Sequence, residues 1–328
     1  MPPRPRFLGV LVLLAAVLLV AGCTGGPPGK PAQAAPPGPT TAESVLGDPR
    51  TIDACSLADP AALNESGHGE FGRAENAGTV SLDYCLLRVR LPEGGLAQLK
   101  VGELAPAEQQ QGDPVTRNGS FDVVQDAPLP SHCARQIVFP DRTAMRVSAD
   151  LLDGKPGGRL CGLADAGTRT AVAAIDQHRV EHRDYPPNSL ALVDPCSVLD
   201  TADVRQVPGL ERATPSGRPA AHQCQWGQAD AASPRVQLVH TAGDPPAVLH
   251  GSATEEQIAG RRTVTSVVGG DPRVPLCSAE TGHVPFGDDR GQVEVAMLVV
   301  AFPDGDGIDA CDFARGLAER AWPQLPRT

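Results

Sequence analysis

Aromatic side chains make up only 3% of this 328-residue chain, which leaves little material for a stacking platform for bases or an aromatic sugar-binding surface. Positive charge is in deficit. The formal net charge of −11 argues against nucleic acid as a partner and against a polybasic grip on anionic lipid, and it favours solubility. No Gly-x-Ser-x-Gly elbow, phosphate-cradling glycine loop or dinucleotide fingerprint is present, and no two cysteines stand at the close spacing of a zinc site. The expectation is a protein that is not an enzyme, with no cofactor and no metal centre. The apolar run Phe7 to Val20 is too short to span a bilayer.

That run has the anatomy of an export signal, with Arg4 and Arg6 ahead of it and small residues after it. Val20-Ala21-Gly22-Cys23 resembles a bacterial lipobox, in which a diacylglycerol is joined to the cysteine thiol and the chain is cut ahead of it. The expectation is a signal peptide over residues 1–22 and lipidation of Cys23. The protein would then be held by acyl chains at the outer face of the cytoplasmic membrane, since two or more buried chains anchor stably where one does not. Residues 23–44 are Pro, Gly, Ala and Thr with few large apolar side chains, and read as a disordered tether.

Beyond Cys23 come eight cysteines in two sets, Cys55, Cys85, Cys133 and Cys161, then Cys196, Cys224, Cys277 and Cys311. Their gaps are 30, 48 and 28 residues in the first set and 28, 53 and 34 in the second, and the flanking residues align too. Ile52-Asp53-Ala54-Cys55-Ser56-Leu57 matches Val193-Asp194-Pro195-Cys196-Ser197-Val198. Asp59 and Asp200 follow at one offset as helix N-caps, with Leu63 and Val204 on the apolar face. Leu163, Val172 and Ile175 after Cys161 match Phe313, Trp322 and Leu325 after Cys311, predicting an amphipathic helix at the end of each copy. Strands are predicted at Leu86 to Leu91, Met145 to Leu151, Arg235 to His240 and Val293 to Phe302.

The expected fold class is α+β: two tandem copies of a disulfide-bonded domain, each an antiparallel sheet with a short N-terminal helix and a C-terminal helix packed on it. The copies are placed at residues 45–178 and 191–328, with a linker at 179–190 marked by Pro186-Pro187. Beyond an export signal an even set of cysteines implies oxidised pairs. Four cysteines allow three connectivities per copy. The pairing expected here is first with second and third with fourth: Cys55–Cys85, Cys133–Cys161, Cys196–Cys224 and Cys277–Cys311.

Asp194-Pro195-Cys196-Ser197 and the later Cys224-Gln225-Trp226 resemble markers of actinobacterial, mycobacterial-type envelope lipoproteins built on a tandem domain of unknown function. Such domains are similar to the extracellular sensor domain of a mycobacterial receptor serine/threonine kinase, a disulfide-bonded α+β module with a cleft. The resemblance implies binding rather than chemistry. The first copy departs from the pattern, with Ala54 for Pro and Leu87 in the Trp position, so a site would survive in one copy only.

Two constellations invite a metal reading and have a plainer one. His178 and His182 stand four apart, which would put two imidazoles on one helical face, but they fall in the polar linker. Asp304, Asp306, Asp309 and Asp312 crowd around two glycines without the spacing or terminal Glu of a calcium loop, and Asp309 and Asp312 suit a helix N-terminus. The functional expectation is a membrane-anchored, extracytoplasmic, non-catalytic module that binds an unidentified envelope ligand or protein partner. A lipid or apolar small-molecule carrier is the alternative, with strands such as Val293 to Phe302 lining its cavity, and an envelope hydrolase stands third.

Overall fold

The first repeat opens before its first cysteine, because Thr41 starts a helix. Its hydroxyl accepts from the Ser44 backbone while the Ser44 hydroxyl accepts from the Thr41 backbone, a reciprocal cap for α1 (Ala42–Leu46). Ala42 and Leu46 are buried, and the Ala42 N–H donates to Asp141. The tether expected through Ser44 is therefore already folded at residues 41–44. The computed structural model describes residues 41–328 except 67–69, 76–77, 80, 93, 110–112, 156–158, 229–232, 250–251, 269–274, 288–290 and 304–307. Residues 1–22 and Cys23 lie outside the described residues.

After α1 the first repeat runs α2 (Pro60–Ser66), β1 (Arg73–Ala74), β2 (Gly78–Thr79), β3 (Tyr84–Arg90), β4 (Leu96–Pro106), β5 (Val115–Asn118), β6 (Phe121–Gln125), β7 (His132–Val138), β8 (Thr143–Asp153) and α3 (Arg159–Asp176). The second runs α4 (Pro195–Val198), α5 (Thr201–Val204), β9 (Pro215–Gly217), β10 (Gln223–Gly227), β11 (Arg235–Gly243), β12 (Ala253–Ile258), β13 (Arg261–Val267), β14 (Leu276–Pro285), β15 (Val293–Ala301) and α6 (Ala310–Ala321).

The sheets share one topology. The first is ordered β1-β3-β4-β8-β7-β6-β5, with β2 also on β3, and the second β9-β10-β11-β15-β14-β13-β12. In both, the cysteine-bearing strands, the two long central strands and the outer hairpin take corresponding places, and all pairings are antiparallel. The architecture is thus mixed α+β, built from two similar sheets. Each closing helix lies on its own sheet, α3 on β7, β8 and β4, and α6 on β14, β15 and β13.

Four bridges fasten these layers, and they follow the pairing expected from the sequence. Cys55–Cys85 and Cys196–Cys224 tie the segment ahead of each sheet to its third or tenth strand; Cys133–Cys161 and Cys277–Cys311 tie a sheet strand to the closing helix. An aspartate two residues ahead of the cysteine orients the backbone in three of these places. Asp53, Asp194 and Asp309 accept from the N–H of Cys55, Cys196 and Cys311 at 3.1, 2.8 and 2.8 Å. Asp59 and Asp200 do the same for Ala61 and Ala202, both at 2.9 Å.

The closing helices differ in length. Asp176 is the last residue of α3, whereas α6 stops at Ala321 and a 3-10 turn, Trp322–Gln324, follows. Pro323 explains the difference, because it has no N–H to donate and its ring crowds the preceding turn. The helix expected to carry through Leu325 is therefore cut short, although Trp322 and Leu325 still reach the core.

Residues 179–190 do more than connect. His182 bridges Ile52 as an antiparallel β-pair, the Asp53 N–H donates to Glu181 O and the Arg183 N–H donates to Thr51 O. Arg183 pairs with Asp53 at 2.9 Å. The stretch is a short seam closing the first repeat. Residues Pro39–Thr328 form one compact unit. Within it the repeats meet through an apolar cluster of Leu82, Ala191, Ala242 and Phe286, with Tyr185 packed against it. Asp83 also receives the His222 imidazole at 2.6 Å.

Candidate functional site

At the outer corner of the second sheet, β12 turns into β13 through Ala259 and Gly260, whose φ values of 48° and 80° are those of a two-residue hairpin. The turn sets Arg261 and Arg262 at the head of β13, beside the chain leaving α6. Between them is a cleft of about 670 Å³, within the range of small-molecule sites, walled by Pro245, Pro246, Trp322, Pro323 and Leu325. Arg261, Arg262 and Arg327 all line it.

The three guanidinium groups are differently committed. Arg262 donates to Pro246 O at 2.7 Å and pairs with Glu255 at 2.6 Å on the exposed rim. Arg261 donates to the Pro326 and Leu325 carbonyls and approaches His283 Nδ1 at 3.3 Å, and has no carboxylate partner among the described residues. Burial pushes its pKa below the usual guanidinium value. Arg327 is exposed, and its side chain has no hydrogen-bond partner among the described residues.

Behind the cleft lies a buried polar junction. His283 Nε2 meets Asn188 O at 2.6 Å. Glu294, 1% exposed, receives the Ser189 hydroxyl at 2.5 Å and the Leu190 N–H at 2.6 Å. Burial raises its pKa above the ordinary carboxylate value in spite of those donors. The His240 ring is fully buried, with Nδ1 3.1 Å from both Leu190 O and Val193 O, and its Nε2 has no partner among the described residues. Burial pulls the His240 pKa down to about 4, so the ring is neutral near pH 7. His222 places a ring nitrogen against Asp83 and the other against Ala191 O at 3.1 Å, which locks the two repeats together across this junction.

The open face of the first sheet carries a group relevant to hydrolysis. Asp150 receives His132 Nδ1 at 2.6 Å and the Ser148 hydroxyl at 3.2 Å. Serine and histidine thus share one carboxylate. The serine proton points at the aspartate rather than at the imidazole, which is not the order in which a histidine activates a nucleophile.

The other sequence-marked residues fall into structural roles. His178 lies past the end of α3 with φ 53°, and His182 accepts or donates at Thr51 Oγ1, 2.8 Å away, in the seam; the two do not share a helical face. Asp309 caps α6 and Asp312 sits in its first turn, while Asp304 and Asp306 lie outside the described residues. Trp226 is wholly buried and donates to the Thr201 hydroxyl at 3.0 Å, and Leu87, its counterpart, is equally buried; both are core residues. In β15, Leu298 and Val300 are packed into the second core. Sequence reading missed Arg261, Arg262 and Arg327. The available signal was an Arg-Arg pair directly after an Ala-Gly turn, together with a proline inside a predicted helix.

None of the curated proteins searched matches this chain. Among solved structures, a conserved hypothetical protein from Mycobacterium tuberculosis described as having a double hotdog fold aligns at 10% identity over 79% of this chain and 85% of its own, with a TM-score of 0.13, too low to carry any argument. The family described as "protein of unknown function (DUF3558)" matches residues 161–324, half of the chain, from the cysteine in the first turn of α3 to the turn that follows α6. The chain belongs to that family.

Proposed function

We propose that this protein is a non-catalytic, sensor-like binding module, displayed on the outer face of the cytoplasmic membrane by a lipid on Cys23, that recognises a ligand or partner of the cell envelope. The observation that carries the proposal is the arginine-lined cleft at the corner of the second repeat. Its half-buried Arg261 has no carboxylate partner among the described residues, in a chain whose net charge is negative. The resemblance to the sensor domain of a receptor kinase points the same way, as do four bridges suited to an oxidising compartment. The arginines that line this cleft favour that reading over an apolar carrier, and the shared carboxylate of Ser148 and His132 favours it over a hydrolase.

The test uses the soluble Cys23→Ser chain, exported and never reduced. Saturable binding to a fractionated envelope extract, with mass lost on passing from native to denaturing mass spectrometry, is the expected result. Uniform absence of binding across all fractions would sink the proposal.

A further inference from the structure

The two repeats place the same elements around this corner and finish them differently. By hairpin register, Phe121 and Asp122 at the head of β6 stand where β13 has Arg261 and Arg262. At the same distance beyond the last cysteine, Gln177 stands where the second copy has Arg327. Phe121 is buried against Phe139, ring centroids 5.3 Å apart. The first hairpin is seated on the closing helix: a Cβ on Gly119 would meet Asp176 Oδ2 and come within 2.8 Å of Val172. At the tip of the second hairpin a Cβ on Gly260, one residue further along the turn than the counterpart of Gly119, would meet nothing within 4 Å, while the strands behind it stay tied to the closing helix through Arg315–Glu256 and Trp322–Thr263. All three cationic replacements therefore face the gap that Pro323 opens by ending α6 early.

A guanidinium held partly out of water without a counter-charge is costly, and an anion seated beside it would offset that cost through charge-assisted hydrogen bonds. Arg261 is positioned by the Leu325 and Pro326 carbonyls, so it is already ordered before any ligand arrives. Across the cleft Pro245 and Pro246 supply an apolar wall, which Trp322 lines with only 1% of its surface exposed.

We infer that this cleft binds a small amphiphilic anion, its phosphate or carboxylate head on Arg261 and Arg327 and its short apolar part against Trp322 and the two prolines. The inference rests on the binding-module reading above and names the ligand class for it. Arg262 is already paired with Glu255 and is assigned no contact with the ligand.

The chain has two tryptophans, so two indole N–H signals report on it by nuclear magnetic resonance: Trp322 lines the cleft and Trp226 lies in the core. The soluble Cys23→Ser chain is titrated with inorganic phosphate, butyl phosphate, butanoate and butanol. The expected result is a saturable shift of the Trp322 signal with the anions and none with butanol, butyl phosphate binding more tightly than inorganic phosphate, and Trp226 unmoved. Whether butyl phosphate or butanoate binds more tightly identifies the head group. Arg327→Gln, which breaks no bond of the fold, should weaken binding by about tenfold, and Arg261→Lys, which keeps the charge but not the fork, by a similar factor. No saturable shift at tens of millimolar, or full affinity in Arg327→Gln, would overturn the inference. If these probes fail while an envelope fraction still binds, only the ligand class is wrong; if they bind and no envelope fraction does, the sensor reading falls and the anion site stands.

Discussion

The tip of the first hairpin rests on its closing helix, whereas the tip of the second borders an open cleft, although its strands are tied to the closing helix by Arg315–Glu256 and by Trp322 donating to Thr263. Both repeats share strand order, bridge pattern and helix placement, so the contrast isolates what a few residues do. Phe121 fills the corner of the first copy with apolar surface, and α3 runs on to Asp176 to cover it. In the second, Pro323 removes the last helical turn and charged residues take the vacated corner. One copy keeps the corner packed and the other leaves a cleft there, a division that duplication permits.

The comparison breaks most sharply at the disulfides, where the copies should behave alike. Closing loops of this size stabilises by about 3–4 kcal/mol per bridge on the chain-entropy model. Cys133→Ser with Cys161→Ser, and Cys277→Ser with Cys311→Ser, should therefore lower unfolding free energy in urea by similar amounts. If removing one bridge melts both repeats in a single transition, the Asp83–His222 contact and the Leu82 cluster couple them; two transitions would mean that they fold independently.

Acid should separate the copies. His240 of the second repeat has a folded pKa of about 4, below the ordinary value of 6.5. The unfolded chain then binds the proton first, so stability is fully present above pH 6.5 and is lost as pH falls toward 4. About 3 kcal/mol is at stake over that window. Glu294 works in the opposite sense: its raised pKa gives stability that is present below the ordinary carboxylate value and lost as pH rises. Comparing wild type with His240→Gln cancels that contribution, and the variant should lose less stability between pH 7 and pH 4.5. Equal acid sensitivity in the two proteins would show that His240 is not buried as described.

Smaller effects probe the corner itself. Gly119→Ala should cost about 2–3 kcal/mol, since the new methyl group meets Val172 and Asp176 at a positive φ; Gly260→Ala carries only the backbone cost, about 1 kcal/mol. Thermal unfolding of the pair checks the difference. Smallest in stability is Pro323→Ala, expected within about 1 kcal/mol of wild type. It should add helical signal in circular dichroism as α6 lengthens, and weaken butyl phosphate binding as the corner closes.

Much of this was legible in the sequence. Asp59 and Asp200 announced helix caps and Asp309 a helix start, and the matched cysteine gaps announced the duplication, whereas the caps that Asp53 and Asp194 place on the N–H groups of Cys55 and Cys196 went unread. Less visible were strands whose hydropathy is disguised. In β7, Arg135 and Gln136 are buried, the first paired with Asp165 at 2.6 Å and the second held by Glu108 O and Asp126, so the segment reads as polar until its partners are placed. The arginine cleft escaped notice because its residues come from a hairpin and a chain end more than sixty positions apart. Only register could bring Arg261 and Arg327 together. Aligning the copies by cysteine offset paired Trp322 with Val172, and the helix-breaking proline that follows Trp322 was visible but went unused.

The seam that pairs Thr51–Asp53 with Glu181–Arg183 has a consequence for how such proteins arise and bear load. Because the backbone comes into and goes out of the first repeat side by side, a whole copy can be inserted or deleted at that point without moving a strand of the remaining sheet. The same closure acts as a clasp: a pull along the chain from its N-terminal side would reach α1 and the backbone bonds of the seam before the bridged strands of the first sheet.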